Sequence, residues 1–209
     1  MDRISWHKTD ESDELGLCRD HASRKIFYAR TYTVGQNYSH SDTNQYIHNL
    51  KKSPARPASE LRYKNEAIEK FAQEAKPLFD RNAQTQIDLV PMPPSKLTGH
   101  PEYDDRIHRV AQRIEELCPN VRCLPLLRGT SNRDAAHVGT ATRSVKQIFD
   151  TIEIDGAVAP QHRPDARIIL LDDIATSGAS FVAALRRITD QFPDAKTAVV
   201  IWAKAKEVS

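Results

Sequence analysis

Cysteine is scarce in this chain of 209 residues. Cys18, Cys118 and Cys123 make an odd and sparse set, which excludes a secreted disulfide scaffold and suits a reducing cytoplasm. A complete zinc site is not expected either, because only Cys18 and His21 fall together near the start of the sequence and a structural site takes four ligands; Cys118 and Cys123 read as structural. Long hydrophobic runs are also absent, which argues against a membrane-spanning chain. Met1 to Leu17 is polar and acidic and has no signal-peptide apolar stretch. Charge of one sign is not in surplus: 30 Lys and Arg stand against 28 Asp and Glu, a formal net charge of +2. A basic protein built to coat nucleic acid would be more lopsided. There is no internal repeat and no low-complexity tract. What remains is a hydrophobic share of 39%, enough for a buried core and against wholesale disorder, in a length that suits one domain or one domain with an appended lobe.

The pattern divides near residue 86. Before it, Met1 to Ser23 is charged and weakly patterned and reads as a mobile arm or a loose first segment. Lys25 to Val34 is rich in β-branched and aromatic residues and predicts a strand. Ser41 to Thr43 caps a short helix to about Lys52, Pro54 and Pro57 mark a linker, and Ser59 caps a longer helix with Leu61, Ile68, Phe71, Ala72, Ala75 and Leu78 on one face. From 86 onward strands and helices alternate: strands at Gln86–Met92, Val121–Leu127, Thr151–Ile154, Arg167–Asp172 and Lys196–Ala203, with helices at Tyr103–Leu117, Thr140–Phe149 and Ala179–Gln191. The run Ile168-Ile169-Leu170-Leu171 suits a strand covered on both faces. The expectation is an α/β protein, an open parallel sheet flanked by helices over 86–209, preceded by a separate lobe of one strand and two helices over 1–85.

The most informative stretch is Ile168 to Ser180. A buried strand stops at two carboxylates, Asp172 and Asp173. A loop of small residues follows, Thr176, Ser177 and Gly178, and a helix opens at Ala179 and Ser180. Backbone N–H groups, three hydroxyls and a helix N-terminus would converge on one point, which is how proteins bind a phosphate monoester. Gly178 lets the backbone approach closely. Adjacent carboxylates beside such a cup suit the paired hydroxyls of a ribose, or a Mg²⁺ ion shared with phosphates. The plainer alternative is a helix cap followed by an ordinary loop. The presence of the whole thirteen-residue pattern, with strand before and helix after, weighs against it.

This segment closely resembles the phosphoribosyl-pyrophosphate signature of type I phosphoribosyltransferases. The resemblance implies that Thr176, Ser177, Gly178, Ala179 and Ser180 hold the 5′-phosphate. It also implies that Asp172 and Asp173 hold the ribose 2′- and 3′-hydroxyls and, indirectly, Mg²⁺. Val90-Pro91-Met92-Pro93-Pro94-Ser95-Lys96 looks like the family's pyrophosphate loop, nearest to its ComF-like branch, with Ser95 on the ligand and Lys96 as the cation facing the leaving group. Tyr46 to Lys52 is similar to a segment preceding the core in that branch. The chain departs from the branch at Tyr103-Asp104-Asp105-Arg106: Arg106 is read as either a surface partner or a phosphate contact, and Asp104-Asp105 as a first-turn acidic pair. Arg133, His137 and Arg143 are candidate cations of a closing lid, with Arg143 taken among the catalytic residues. Residues before 86 would form the hood that selects the acceptor.

The function implied is transfer of phosphoribose from phosphoribosyl pyrophosphate to an unidentified acceptor, nucleobase-like or a nucleotide, with Mg²⁺ and release of pyrophosphate. The alternative is a binding module that keeps the ribose-phosphate cup as a regulator or nucleic-acid-linked factor. Arg24, Lys25, Arg30, Lys51, Lys52, Arg56 and Arg62 are the basic positions that would make a weak nucleic-acid face. A homodimer is left open as a further partner. A third reading is a sugar-phosphate-binding α/β protein outside the family.

Overall fold

Two hydrophobic cores, one on each face of a single sheet, take up nearly all the large apolar side chains. The computed structural model describes residues 4–8, 25–133 and 144–207. In chain order these form β1 (His7–Lys8), β2 (Lys25–Thr33), α1 (Asp42–Leu50), α2 (Ala58–Asp80), β3 (Ile87–Pro91), α3 (Arg106–Leu117), β4 (Val121–Cys123), β5 (Leu127–Gly129), α4 (Val145–Phe149), β6 (Ile152–Ile154), β7 (Arg167–Ala175), α5 (Ala179–Gln191) and β8 (Thr197–Lys206). Six strands make one sheet in the order β1-β2-β8-β7-β3-β4. All its pairings are parallel except β1 against β2. The molecule is thus an α/β protein with a mostly parallel sheet flanked by helices.

Alternation along the central strands explains the two cores. Ile168 and Leu170 of β7 and Val199 and Ile201 of β8 face α5, α4 and the small two-stranded β5–β6 sheet. Leu171 of β7 and Val200 and Trp202 of β8 face α1, α2 and α3. Strand side chains alternate between faces, so a strand covered on both sides must be apolar throughout. The spacing of Ile68, Phe71, Ala72, Ala75 and Phe79 gives α2 the apolar stripe it buries here. Its start lacks a side-chain cap. Pro57 sits at the N-cap, and Ser59 lies in the first turn rather than capping it. Ser41 does cap α1, its hydroxyl accepting from the Asn44 amide at 3.1 Å.

Several expected boundaries move, each for a visible reason. The strand expected over 25–34 pairs in parallel with β8, from Lys25 against Ala198 to Thr33 against Lys206, so it belongs to the main sheet instead of a separate lobe. The strand expected over 121–127 breaks in two. β4 ends at Cys123, Pro125 has no N–H to donate, and β5 pairs antiparallel with β6 in a second, two-stranded sheet. The helix expected from Tyr103 begins at Arg106. β1 was not expected at all; the Trp6 indole beside it donates to the Glu74 carbonyl at 2.7 Å.

Two buried carboxylates tie distant parts of the chain together. Glu74 of α2 accepts from Arg30 at 2.5 and 2.8 Å and from the Trp202 indole at 2.7 Å. Trp202 is fully buried and stacks on Phe71, with ring centroids 4.8 Å apart. Asp88 of β3 accepts from His162 (2.8 Å), from the Arg163 amide and guanidinium, and from Arg122. Burial alone would raise its pKa; the Arg163 amide, His162 and Arg122 outweigh that and hold it below the usual carboxylate value.

Candidate functional site

The strand order creates one place where connections diverge. From β3 the chain passes through α3 to β4 and moves toward one edge. From β7 it passes through α5 to β8 and moves toward the other. The two helices lie on opposite faces of the sheet. Between β3 and β7 the winding therefore reverses, and open α/β sheets bind ligands beyond the strand C-termini at such a switch point. β3 and β7 run parallel side by side, from Ile87 against Arg167 to Pro91 against Leu171. Their following loops, 92–97 and 176–178, thus leave the same sheet end next to one another. The Met92 amide donates to the Leu171 carbonyl at 2.9 Å and extends this register into the first loop.

The second of these loops is the expected cup. Gly178 occupies the N-cap of α5 with φ of +73°, a left-handed conformation that side chains disfavour and glycine adopts freely. Among the described residues no side chain caps α5, in contrast with Ser41 at α1. The Phe181 amide donates to the Gly178 carbonyl at 3.0 Å, so the first-turn amides that face the loop are those of Ala179 and Ser180. Thr176 is exposed, Ser177 and Ser180 are half-buried, and Gly178 and Ala179 are buried. β7 continues to Ala175, so Asp172 and Asp173 sit inside the strand rather than after its end.

That placement divides the acidic pair. Neighbours in a strand point to opposite faces. Asp173, 4% exposed, turns to the face of α1, α2 and α3. There it accepts from Arg106 Nε at 2.9 Å and pairs with Arg106 Nη2 at 2.9 Å, with Lys51 Nζ at 3.7 Å. Asp172 is half-buried, and its Oδ1 accepts from the Asp173 amide at 2.8 Å. Burial, then the Asp173 charge, pushes the Asp172 carboxyl up to about 7. Burial would also raise Asp173, but Lys51 and Arg106 overcome it and hold this carboxyl below its usual value.

A row of alternating charges backs the pair. Asp104 accepts from Arg106 Nη1 at 3.0 Å and from the Arg106 amide at 3.2 Å. It also accepts from Lys64 Nζ of α2 at 2.7 Å, and Lys64 donates further to the Lys52 carbonyl at 2.7 Å. Burial lowers the Lys64 pKa, and Asp104 only partly offsets this. Arg106 thus pairs with Asp104 and Asp173 instead of with a surface residue four positions along its helix, and Asp104 precedes α3 instead of lying in its first turn. The sequence shows Asp104, Asp105 and Arg106 side by side, which is a signal; it gives none that Lys51 and Lys64 join them.

In the loop after β3, Ser95 and Lys96 are half-buried. The loop is fastened from the segment after β5. The Arg133 amide donates to the Ser95 carbonyl at 2.7 Å, Arg133 Nη2 donates to the carbonyls of Pro93 and Pro94 at 3.0 and 2.9 Å, and the Leu97 amide donates to Asn132 Oδ1 at 2.8 Å. Arg133, expected as a lid cation, therefore serves as a clasp. His137 and Arg143 lie outside the described residues, as do Cys18, His21 and Arg24.

Among the remaining basic positions, Arg30 is engaged with Glu74 and Lys51 with Asp173. Arg62 and Lys52 flank the Tyr63 ring at 4.6 and 5.8 Å. Burial raises the thiols of Cys118 and Cys123 to about 11 and about 12. Among the described residues no group of three or more His, Cys, Asp or Glu is arranged to hold a metal ion, and no helix is long and apolar enough to cross a membrane. No protein-family model matches the chain, and no curated protein matches it.

Proposed function

We propose that this chain is a phosphoribosyltransferase with a type I-like core, which binds phosphoribosyl pyrophosphate with Mg²⁺ at the β3–β7 switch point and transfers the phosphoribosyl group to an acceptor. The observation that carries the reading is the meeting of three features at one sheet end. These are an uncapped helix start with a left-handed glycine, a half-buried carboxylate three residues before the strand ends, and a clasped neighbouring loop bearing Lys96.

In the reaction the bond between ribose C1 and the pyrophosphate oxygen breaks, its electron pair leaves with pyrophosphate, and the acceptor nucleophile forms the new bond at C1. Thr176, Ser177, Gly178, Ala179 and Ser180 bind the 5′-phosphate equally in substrate and product. Asp172 accepts from the ribose hydroxyls and so orients C1. Lys96, with Ser95 beside it, meets the charge that grows on the departing pyrophosphate, where an interaction raises turnover most. Asp172 would hold a Mg²⁺ ion only indirectly, and the ligand's own phosphates would supply most of its oxygens. The described residues offer no three-ligand cage, and Mg²⁺ commonly keeps several waters. Bound there, the ion supplies positive charge to the pyrophosphate.

The test is to incubate the protein with Mg²⁺, phosphoribosyl pyrophosphate and a pool of nucleobases and nucleotides, measure pyrophosphate, and identify the ribosylated product by mass. One observation favours a second reading, a non-catalytic ligand-binding protein: Asp173 is already engaged by Arg106 and Lys51. Binding of phosphoribosyl pyrophosphate without pyrophosphate release from any acceptor would decide for it.

A further inference from the structure

We infer that Arg106, braced by Asp104, is a positioning residue that fixes Asp173 against the strand and leaves Asp172 as the carboxylate that meets the ribose hydroxyls; this rests on the ribose-phosphate reading of the site. Four elements converge to make the arrangement. Lys64 reaches from α2 to Asp104, Asp104 holds both the amide and the guanidinium of Arg106 at the start of α3, and Arg106 grips Asp173 on β7 through two nitrogens. Lys51, at the end of α1, approaches the other oxygen of Asp173 at 3.7 Å.

Each link has a reason to be there. Asp173 is 4% exposed, and a carboxylate so enclosed needs paired donors to remain charged. Arg106 Nε and Nη2 converge on one oxygen, Oδ2, so the rigid guanidinium plane fixes where that oxygen lies as well as meeting its charge, which a flexible ammonium does not. Arg106 is fixed in turn because Asp104 occupies its remaining nitrogen, and the surplus charge of Asp104 is met by Lys64. The outcome is that one acid of the pair is committed on the face of α1, α2 and α3 while its neighbour turns to the other face of the sheet. Among the described residues Asp172 engages one group, through Oδ1, and that group is the amide of the residue whose side chain Arg106 grips. Removing Arg106 leaves Lys51 and the Ile174 amide as the groups that hold Asp173. Asp173 then loses its orientation and Asp172 with it, so the contact to the hydroxyls suffers while the phosphate cup, built from the 176–180 backbone, does not.

The experiment titrates ribose 5-phosphate, 2-deoxyribose 5-phosphate and inorganic phosphate into the parent protein, Arg106→Gln and Arg106→Lys by calorimetry. The parent is expected to prefer ribose 5-phosphate to the deoxy sugar. Arg106→Gln should weaken ribose 5-phosphate about tenfold and erase most of the preference, as loss of a charge-assisted contact does, while inorganic phosphate binding stays within about twofold. Arg106→Lys should fall between, since it restores charge but not the rigid plane. An unchanged preference in Arg106→Gln would overturn the inference. So would a parallel loss for all three ligands, which marks a general structural role. Should Arg106→Gln not fold, Arg106→Lys is judged alone: a reduced preference supports the inference and an intact one overturns it. A parent that binds phosphate but shows no preference for the 2-hydroxyl would remove the ribose reading itself, and the inference with it.

Discussion

Replacing Asp172 by asparagine should stabilise the protein while spoiling its recognition of ribose. Burial and the neighbouring Asp173 charge raise the Asp172 carboxyl from its ordinary 3.8 to about 7. Each tenfold step in that equilibrium is about 1.4 kcal/mol, so ionising Asp172 at pH 8 costs the fold on the order of a few kcal/mol. Asparagine keeps an oxygen for the Asp173 amide, at 2.8 Å in the parent, and removes the charge. A gain of about 2–4 kcal/mol is expected at pH 8, or roughly 5–15 °C in Tm for a chain of this size. The pH dependence has a definite sign. Because the folded-state pKa is raised, the folded protein binds more protons than the unfolded chain between about 4 and 7, and the parent loses stability from this group as pH rises through that window. The advantage of Asp172→Asn should therefore be full at pH 8, smaller at pH 5.5 and gone near pH 4. Urea denaturation at these three pH values measures it. The same variant should lose the preference for ribose 5-phosphate over its 2-deoxy analogue. If Asp172→Asn were less stable than the parent at pH 8, the carboxylate would be a structural acceptor, and the view that stability is given up here for ligand contact would fall.

Gly178→Val should cost about 1–2 kcal/mol from the left-handed backbone alone and weaken inorganic phosphate and ribose 5-phosphate together; intact phosphate affinity in a folded variant would place the cup elsewhere. Lys96→Ala should slow pyrophosphate release by about 10²–10³-fold while ribose 5-phosphate affinity barely changes, and turnover at the parent's rate would make Lys96 an ordinary loop residue. Glu74→Ala strips the partner from Arg30 and from the Trp202 indole, and should destabilise the protein by about 3–5 kcal/mol in urea; a loss below about 1 kcal/mol would mean that solvent takes over these contacts.

What could be read in the sequence was local. The Ile168–Leu171 run, the small-residue loop and the helix opening at Ala179 follow from composition over thirteen residues, and the strand–loop–helix unit stands where they put it. The start of α1 was legible because a local group, Ser41, sets it. They slipped where distant partners decide. β7 runs three residues past Asp172 because β8 continues to pair with it, up to Ala175 against Lys204. β2 lies in the main sheet because β8 accepts it more than 160 positions away in sequence, and no residue within Lys25–Thr33 announces that partner. Likewise Asp172 and Asp173 read as an equivalent pair. Only the chain from Lys64 through Asp104 and Arg106, assembled from α2 and α3, reveals that one of them is committed. Pro125, which has no N–H to donate, divides the strand expected over 121–127 into β4 and β5.

The most direct test of the central claim is a calorimetric titration of phosphoribosyl pyrophosphate into the parent protein in the presence of Mg²⁺, repeated with Gly178→Val. The account predicts saturable one-to-one binding to the parent, a Tm that climbs by roughly 5–10 °C at about 100 times the Kd, and a marked loss of both in the variant. No heat and no Tm change with the parent at millimolar ligand, in a protein shown to be folded, would contradict it.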